Sequence, residues 1–225
     1  MSRDLPKELT SYDLLKTAAV ILMIIDHIGA YLMPDMLWMR IAGRLCVPMW
    51  FFLVGYARSR DTGLHLWIAA LVLIVSDFIV GMTIFPLNIL VTILFVRLVL
   101  DPYMRIVSRH WALFFAGGLL LLLLSLPSLL IIDYGTQGLV LAVFGYVVRR
   151  AQDDPHKRLM EIFPCLVFSA AFYTLSQWMV FNFSGLPGLI LLAGTVAVLL
   201  MLVDFRPATF PRAASILPRP VVWLL

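Results

Sequence analysis

The sequence predicts an all-α polytopic membrane protein, a bundle of about eight transmembrane helices with both termini in the cytoplasm. Three observations predict it. The 225 residues are 62% hydrophobic and 13% charged, with a mean hydropathy of +0.99, which is more apolar surface than a soluble domain can bury. The apolar runs reach roughly 20 residues and do not alternate, so backbone groups in lipid must be satisfied within helices. Finally, Lys and Arg gather at alternate ends of these runs, as the positive-inside rule requires.

The spans are predicted near 12–33, 40–58, 65–85, 87–104, 111–132, 135–150, 161–182 and 186–204. The first carries Asp26 and His27 side by side in an otherwise apolar run, Leu14–Leu32. The second carries Arg44 one turn before Pro48, which frees a carbonyl and bends the helix. Asp77 lies in the third, and Arg97 and Asp101 interrupt the fourth. The fifth contains the lipid-facing run Leu119–Leu124, and Gly135, Gly138 and Gly145 thin the sixth. No repeat or linker divides the chain, so residues 1–225 are expected to be a single transmembrane domain. Its parts are a cytoplasmic N-terminus (1–11), the bundle (12–204) and a Pro-rich tail (205–225). The polar, mixed-charge opening has no small-residue cleavage site and does not resemble a signal peptide. In the tail, Pro207, Pro211, Pro218 and Pro220 exclude a regular helix until Val221–Leu225, which reads as a helix start or an interfacial stub.

Orientation sets the depth of the polar groups. Arg3, Lys7, Arg58, Arg60, Arg105, Arg109, Arg149, Arg150, Lys157 and Arg158 fall at one set of ends, while the loops around Gly81, Asp133–Tyr134 and Asn182–Gly185 carry no Lys or Arg. Arg40 alone breaks the pattern. His27 then lies about 9 Å from the outer end of its helix, in the same layer as Arg44. Asp77, Asn88, Gln137, Gln177 and Asn182 also fall in outer halves. An ionisable group at mid-bilayer costs about 3 kcal/mol on insertion scales, so such groups need partners and mark function by default. The expectation is a polar cavity opening outward, with Asp26, His27, Arg44 and Asp77 as its charged members. Adjacent helix residues point about 100° apart, so Asp26 is expected to pair with Arg44 while His27 faces substrate or another helix, for example at Asp77. A structural ion pair beside a satisfied core histidine is the plainer alternative.

Several function classes are excluded. The charge of +4 is spread through short loops and is no nucleic-acid signal. Cys46 and Cys165 lie inside apolar runs and read as packing residues, so no metal site or disulfide framework is expected. No Walker A, GxGxxG, HExxH, GxSxG or paired CxxC motif occurs. His65, His110 and His156 lie at cytoplasmic ends, and Trp38, Trp67, Trp111 and Trp178 fit an aromatic belt. The polar hairpin Asp133–Gly138 reads as a tight turn or a lid.

Some segments also carry a resemblance. Ser11-Tyr12-Asp13-Leu14-Leu15-Lys16 with Met23-Ile24-Ile25-Asp26-His27-Ile28-Gly29 resembles the opening of the TraX family. So do Arg40-Ile41-Ala42-Gly43-Arg44-Leu45 with Pro48, the Phe52-Leu53-Val54-Gly55-Tyr56 block, Leu87-Asn88-Ile89-Leu90 and the Asp133-Tyr134-Gly135…Gly138 hairpin. The resemblance implies an N-acetyltransferase of the bacterial inner membrane that uses acetyl-CoA to cap the N-terminal amine of a conjugative pilin. The Asp-His pair also resembles wider membrane acyltransferase families, which implies a catalytic role for His27. The chain stops at Leu225 without the further helix expected of such families.

On that reading His27 is a general base or a transient acetyl carrier, with Asp26 and Arg44 completing the catalytic group. Arg44 holds Asp26 or stabilises the oxyanion. Asp77, Asn88, Tyr134 and Gln137 are the candidates for contacting the acceptor. Arg58, Arg60 and Arg105, with Arg109, are the candidates for the coenzyme A phosphates. The rival classes are a transporter, which lacks visible inverted repeats or paired broken helices, and a non-catalytic assembly factor for a pilus or conjugation complex.

Overall fold

A computed structural model describes residues 9–152, 154, 156, 158–183 and 185–210. The expected cytoplasmic N-terminus through residue 8 and the Val221–Leu225 helix start lie outside these. The architecture is all-α apart from one short strand pair. In chain order the elements are β1 (Leu9–Thr10), α1 (Ser11–Tyr31), α2 (Leu37–Arg44), α3 (Cys46–Tyr56), α4 (Leu64–Ile79), α5 (Ile89–Val107) and α6 (Trp111–Leu123). They continue with α7 (Ser125–Leu129), α8 (Gly135–Ala151), a π-helical turn (Arg158–Ile162), α9 (Phe163–Phe181), α10 (Leu186–Val203) and β2 (Thr209–Phe210). Every predicted span contains helix. Among the described residues, four stretches are long and apolar enough to cross a membrane: Ser11–Tyr31, Leu37–Tyr56, Met160–Phe181 and Leu186–Val203.

The breaks have covalent causes. The second span is interrupted at Leu45 because Pro48 has no N–H to offer the Arg44 carbonyl four residues back. The fifth divides into α6 and α7, since Pro127 leaves the Leu123 carbonyl without its helical donor in the same way.

The chain forms two compact units, residues 1–50 with 185–225, and residues 51–184. In the first, β1 pairs antiparallel with β2, Leu9 opposite Phe210 and Thr10 opposite Thr209. Ser11 reinforces the clip, donating from its N–H to the Ala208 carbonyl (2.9 Å) and from Oγ to the Arg206 carbonyl (2.9 Å). Thr10 and Asp13 form a capping box: the Asp13 N–H donates to Thr10 Oγ1 (3.3 Å) and the Thr10 N–H to Asp13 Oδ2 (3.0 Å). Helix α1 packs on α2, and α2 on α10.

The second unit is organised around α8. Fourteen of its seventeen residues are buried, against one, Ala70, in α4. A helix that its glycines thin in sequence is thus the centre of its unit. Its glycines, and one facing it, explain this. A Cβ on Gly55 would overlap the Ala142 carbonyl, one on Gly145 the Phe52 carbonyl, and one on Gly138 the Phe51 ring. Without Cβ atoms the two backbones approach closely, as small residues allow between membrane helices. A bridge fixes where α8 starts: Leu87 donates to the Ile131 carbonyl (2.9 Å) and accepts from the Asp133 N–H (2.7 Å). Thr92 Oγ1 donates to the Asp133 carbonyl. The hairpin is therefore a tied turn, with Tyr134 in the left-handed region at φ 60°. Trp38, Trp67, Trp111 and Trp178 are all about half exposed.

Gly55→Ala should cost at least about 2 kcal/mol, because the new methyl meets backbone that cannot rotate away. Gly63→Ala, with open space around it, should leave the unfolding midpoint in detergent unchanged.

Candidate functional site

Asp26 is buried where α1 crosses α2. Arg40 Nη1 lies 3.0 Å from Asp26 Oδ2 and also donates to the Asp26 carbonyl at 3.0 Å. Arg44 Nε lies 3.4 Å from Oδ1, a distance at which charges attract although Oδ1 accepts no hydrogen bond among the described residues. Two arginines one turn apart on α2 therefore flank a single carboxylate. Gly43 lies between them and faces Asp26 so closely that any Cβ there would collide with it, while Gly29 leaves room for Met39 and Arg40. The Arg40–Arg44 block thus has a mechanical reason for its glycine. Sequence reasoning named only Arg44 as the partner. The four-residue spacing was the signal that Arg40 reaches the same carboxylate.

His27 departs from expectation. It is exposed on α1, on the face shared with Ile24 and Tyr31. Its Nδ1 is 2.8 Å from the Met23 carbonyl. A carbonyl only accepts, so Nδ1 carries the proton, and in the neutral ring the lone pair would then sit on Nε2. The Tyr31 ring lies beside it, centroids 6.1 Å apart. A neighbouring turn of its own helix thus engages the imidazole. Asp77 is half-buried on α4, in the second unit.

The remaining candidates make contacts within the fold. Asn88 caps α5, its Oδ1 accepting from Leu90 (3.1 Å) and Val91 (3.3 Å) while Nδ2 donates to the Ala70 carbonyl (3.1 Å). Gln137 is buried and accepts from Gln177 Nε2 at 3.0 Å. Tyr134 precedes α8 and meets Phe51 edge to face.

At the basic end of the second unit, three arginines surround the end of α3. Arg60 pairs with Asp101 (2.5 Å) and donates to the Gly55 carbonyl (2.9 Å). Arg97 donates to the Asp61 carbonyl (2.6 Å) and Arg149 to those of Tyr56 and Ala57. Arg60 and Arg149 both lie over the Tyr146 ring, 5.4 and 5.2 Å from its centre. Arg60 is thus committed to the fold, whereas Arg58 and Arg105 are exposed. Cys46 and Cys165 are buried free thiols, and among the described residues no cluster of His, Cys, Asp or Glu could hold a metal ion.

A family model described as TraX protein matches residues 11–203. An uncharacterized protein of Rickettsia prowazekii (strain Madrid E) is 30% identical over 177 residues, covering 78% of this chain and 71% of the relative. No solved structure matches the chain.

Asp26→Asn would leave the buried Arg44 and the half-buried Arg40 facing an uncharged amide, and should destabilise the protein by about 3 kcal/mol. Adding Arg44→Met should recover part of that loss in a double-mutant cycle followed by denaturant unfolding.

Proposed function

Since the chain belongs to the TraX family, we propose that it is a multi-pass acetyltransferase of the bacterial inner membrane. It crosses the bilayer about eight times with both termini in the cytoplasm, and transfers acetyl from acetyl-CoA to the N-terminal amine of a pilin subunit. The observation that carries the chemistry is the fixed tautomer of His27. With Nδ1–H donated to Met23, Nε2 is the basic atom and stands on an exposed face, where an acceptor helix arriving from within the bilayer can reach it.

The neutral amine of the acceptor attacks the thioester carbonyl carbon. The amine proton passes to His27 Nε2 as the carbon–nitrogen bond forms. The carbon–sulfur bond then breaks, and the departing thiolate of coenzyme A takes that proton back from the imidazolium. Asp26 does not act as a free base, because Arg40 and Arg44 hold it; its role is to lock α1 on α2 and so set the position of His27. The exposed Arg58 and Arg105, at the predicted cytoplasmic ends, meet the phosphates of coenzyme A, so the pantetheine arm has to thread the bundle, or the acetyl group be passed through it, to reach His27. Asp77, the half-buried carboxylate of the second unit, is the remaining candidate for the acceptor.

In proteoliposomes supplied with labelled acetyl-CoA and pilin, His27→Ala should lower acetyl transfer by roughly 100-fold or more, the usual scale of general-base loss. Because the side chain is exposed, the unfolding midpoint should not move. A full rate in that variant would remove His27 from the mechanism. Pilin N-termini unacetylated with and without the protein would favour an assembly factor.

A further inference from the structure

At the basic end of the second unit, α5, α6, α8 and the π-helical turn enclose a cavity of about 150 Å3. Met104, Val107, Phe114 and Val147 make its floor apolar. Arg109, His110, Arg150 and Glu161 give it a polar rim. Among the described residues neither Arg109, Arg150 nor Glu161 has an ion-pair partner. With histidine neutral the lining carries one net positive charge.

Trp111 lies at the mouth and opens α6. Phe115, Leu119 and Leu122 follow at helical spacing, exposed by 62%, 56% and 38%. The Trp111 and Phe115 rings stack 6.1 Å apart, so an apolar stripe runs unbroken from the cavity along α6. A cationic recess joined to a lipid-facing stripe has the shape of one class of molecule. We propose that this cavity holds the phosphate headgroup of an anionic phospholipid, with Arg109 and Arg150 on the phosphodiester and Glu161 accepting from headgroup hydroxyls. The acyl chains lie along Trp111, Phe115, Leu119 and Leu122. The net charges match at one each, and arginine forks suit phosphate oxygens. Arg109, one of the arginines the sequence offered for the coenzyme A phosphates, is here assigned to the lipid instead, and the site does not depend on the acetyl-transfer chemistry.

The test uses the full chain in neutral detergent, titrated with phosphatidylglycerol or phosphatidylcholine and read by native mass spectrometry. Phosphatidylglycerol should be retained at least tenfold more tightly. Arg109→Ala with Arg150→Ala should abolish that preference, and Arg109→Lys with Arg150→Lys should keep part of it, which separates loss of charge from loss of fold. Phosphatidylglycerol brominated on its chains should quench tryptophan emission less in Trp111→Phe. Equal retention of the two lipids, a preference that survives the double alanine variant, or displacement of phosphatidylglycerol by coenzyme A would each overturn the proposal.

Discussion

A carboxylate removed from water must be neutralised where it lies, and Asp26 shows how much structure that demands. Its partners come from the next helix, so α1 and α2 must cross at one register. The crossing must be tight, so Gly43 has no side chain and Gly29 leaves room for Arg40. Pro48 then ends the regular hydrogen bonding just beyond Arg44, turning the chain into α3. A buried ion pair of this kind is weak evidence for stability as such, since desolvation offsets much of its attraction. It is stronger evidence for register, because no other sliding of α2 along α1 puts both guanidiniums on one carboxylate.

That register is what gives His27 its place. Asp26 faces inward, so the next residue, about 100° around the helix, faces out. The Met23 carbonyl then fixes which nitrogen bears the proton. A buried pair and an exposed imidazole are two consequences of one helix phase, so any reading of the histidine is tied to the structural role of the aspartate.

Much of this was legible from residue types. The Asp26–Arg44 approach followed from charge and predicted depth, and the interruption of the second span from Pro48. The capping box was readable as Thr10-x-x-Asp13, a signal the hydropathy pattern overshadowed. What stayed hidden has a common cause. Hydropathy ranks a helix by side-chain oiliness, so Gly135, Gly138 and Gly145 made α8 look marginal, whereas glycine buries a helix by letting backbone approach backbone. Likewise Asn88 and Gln137 sat at the right depth for a substrate cavity. A cap on α5 and an amide pair to Gln177 are azimuthal facts that depth does not encode.

The interleaved order of the two units bears on how the protein is made. Residues 51–184 are continuous, whereas the first unit draws on both flanks. A ribosome adding roughly 5–20 residues per second takes on the order of ten seconds to synthesise the intervening stretch. During that interval α1 and α2 exist without α10 and without the strand that clips onto Leu9 and Thr10. The salt-bridged hairpin is a local device that needs nothing from later in the chain, so it can keep Asp26 covered while the translocon is still at work on the rest.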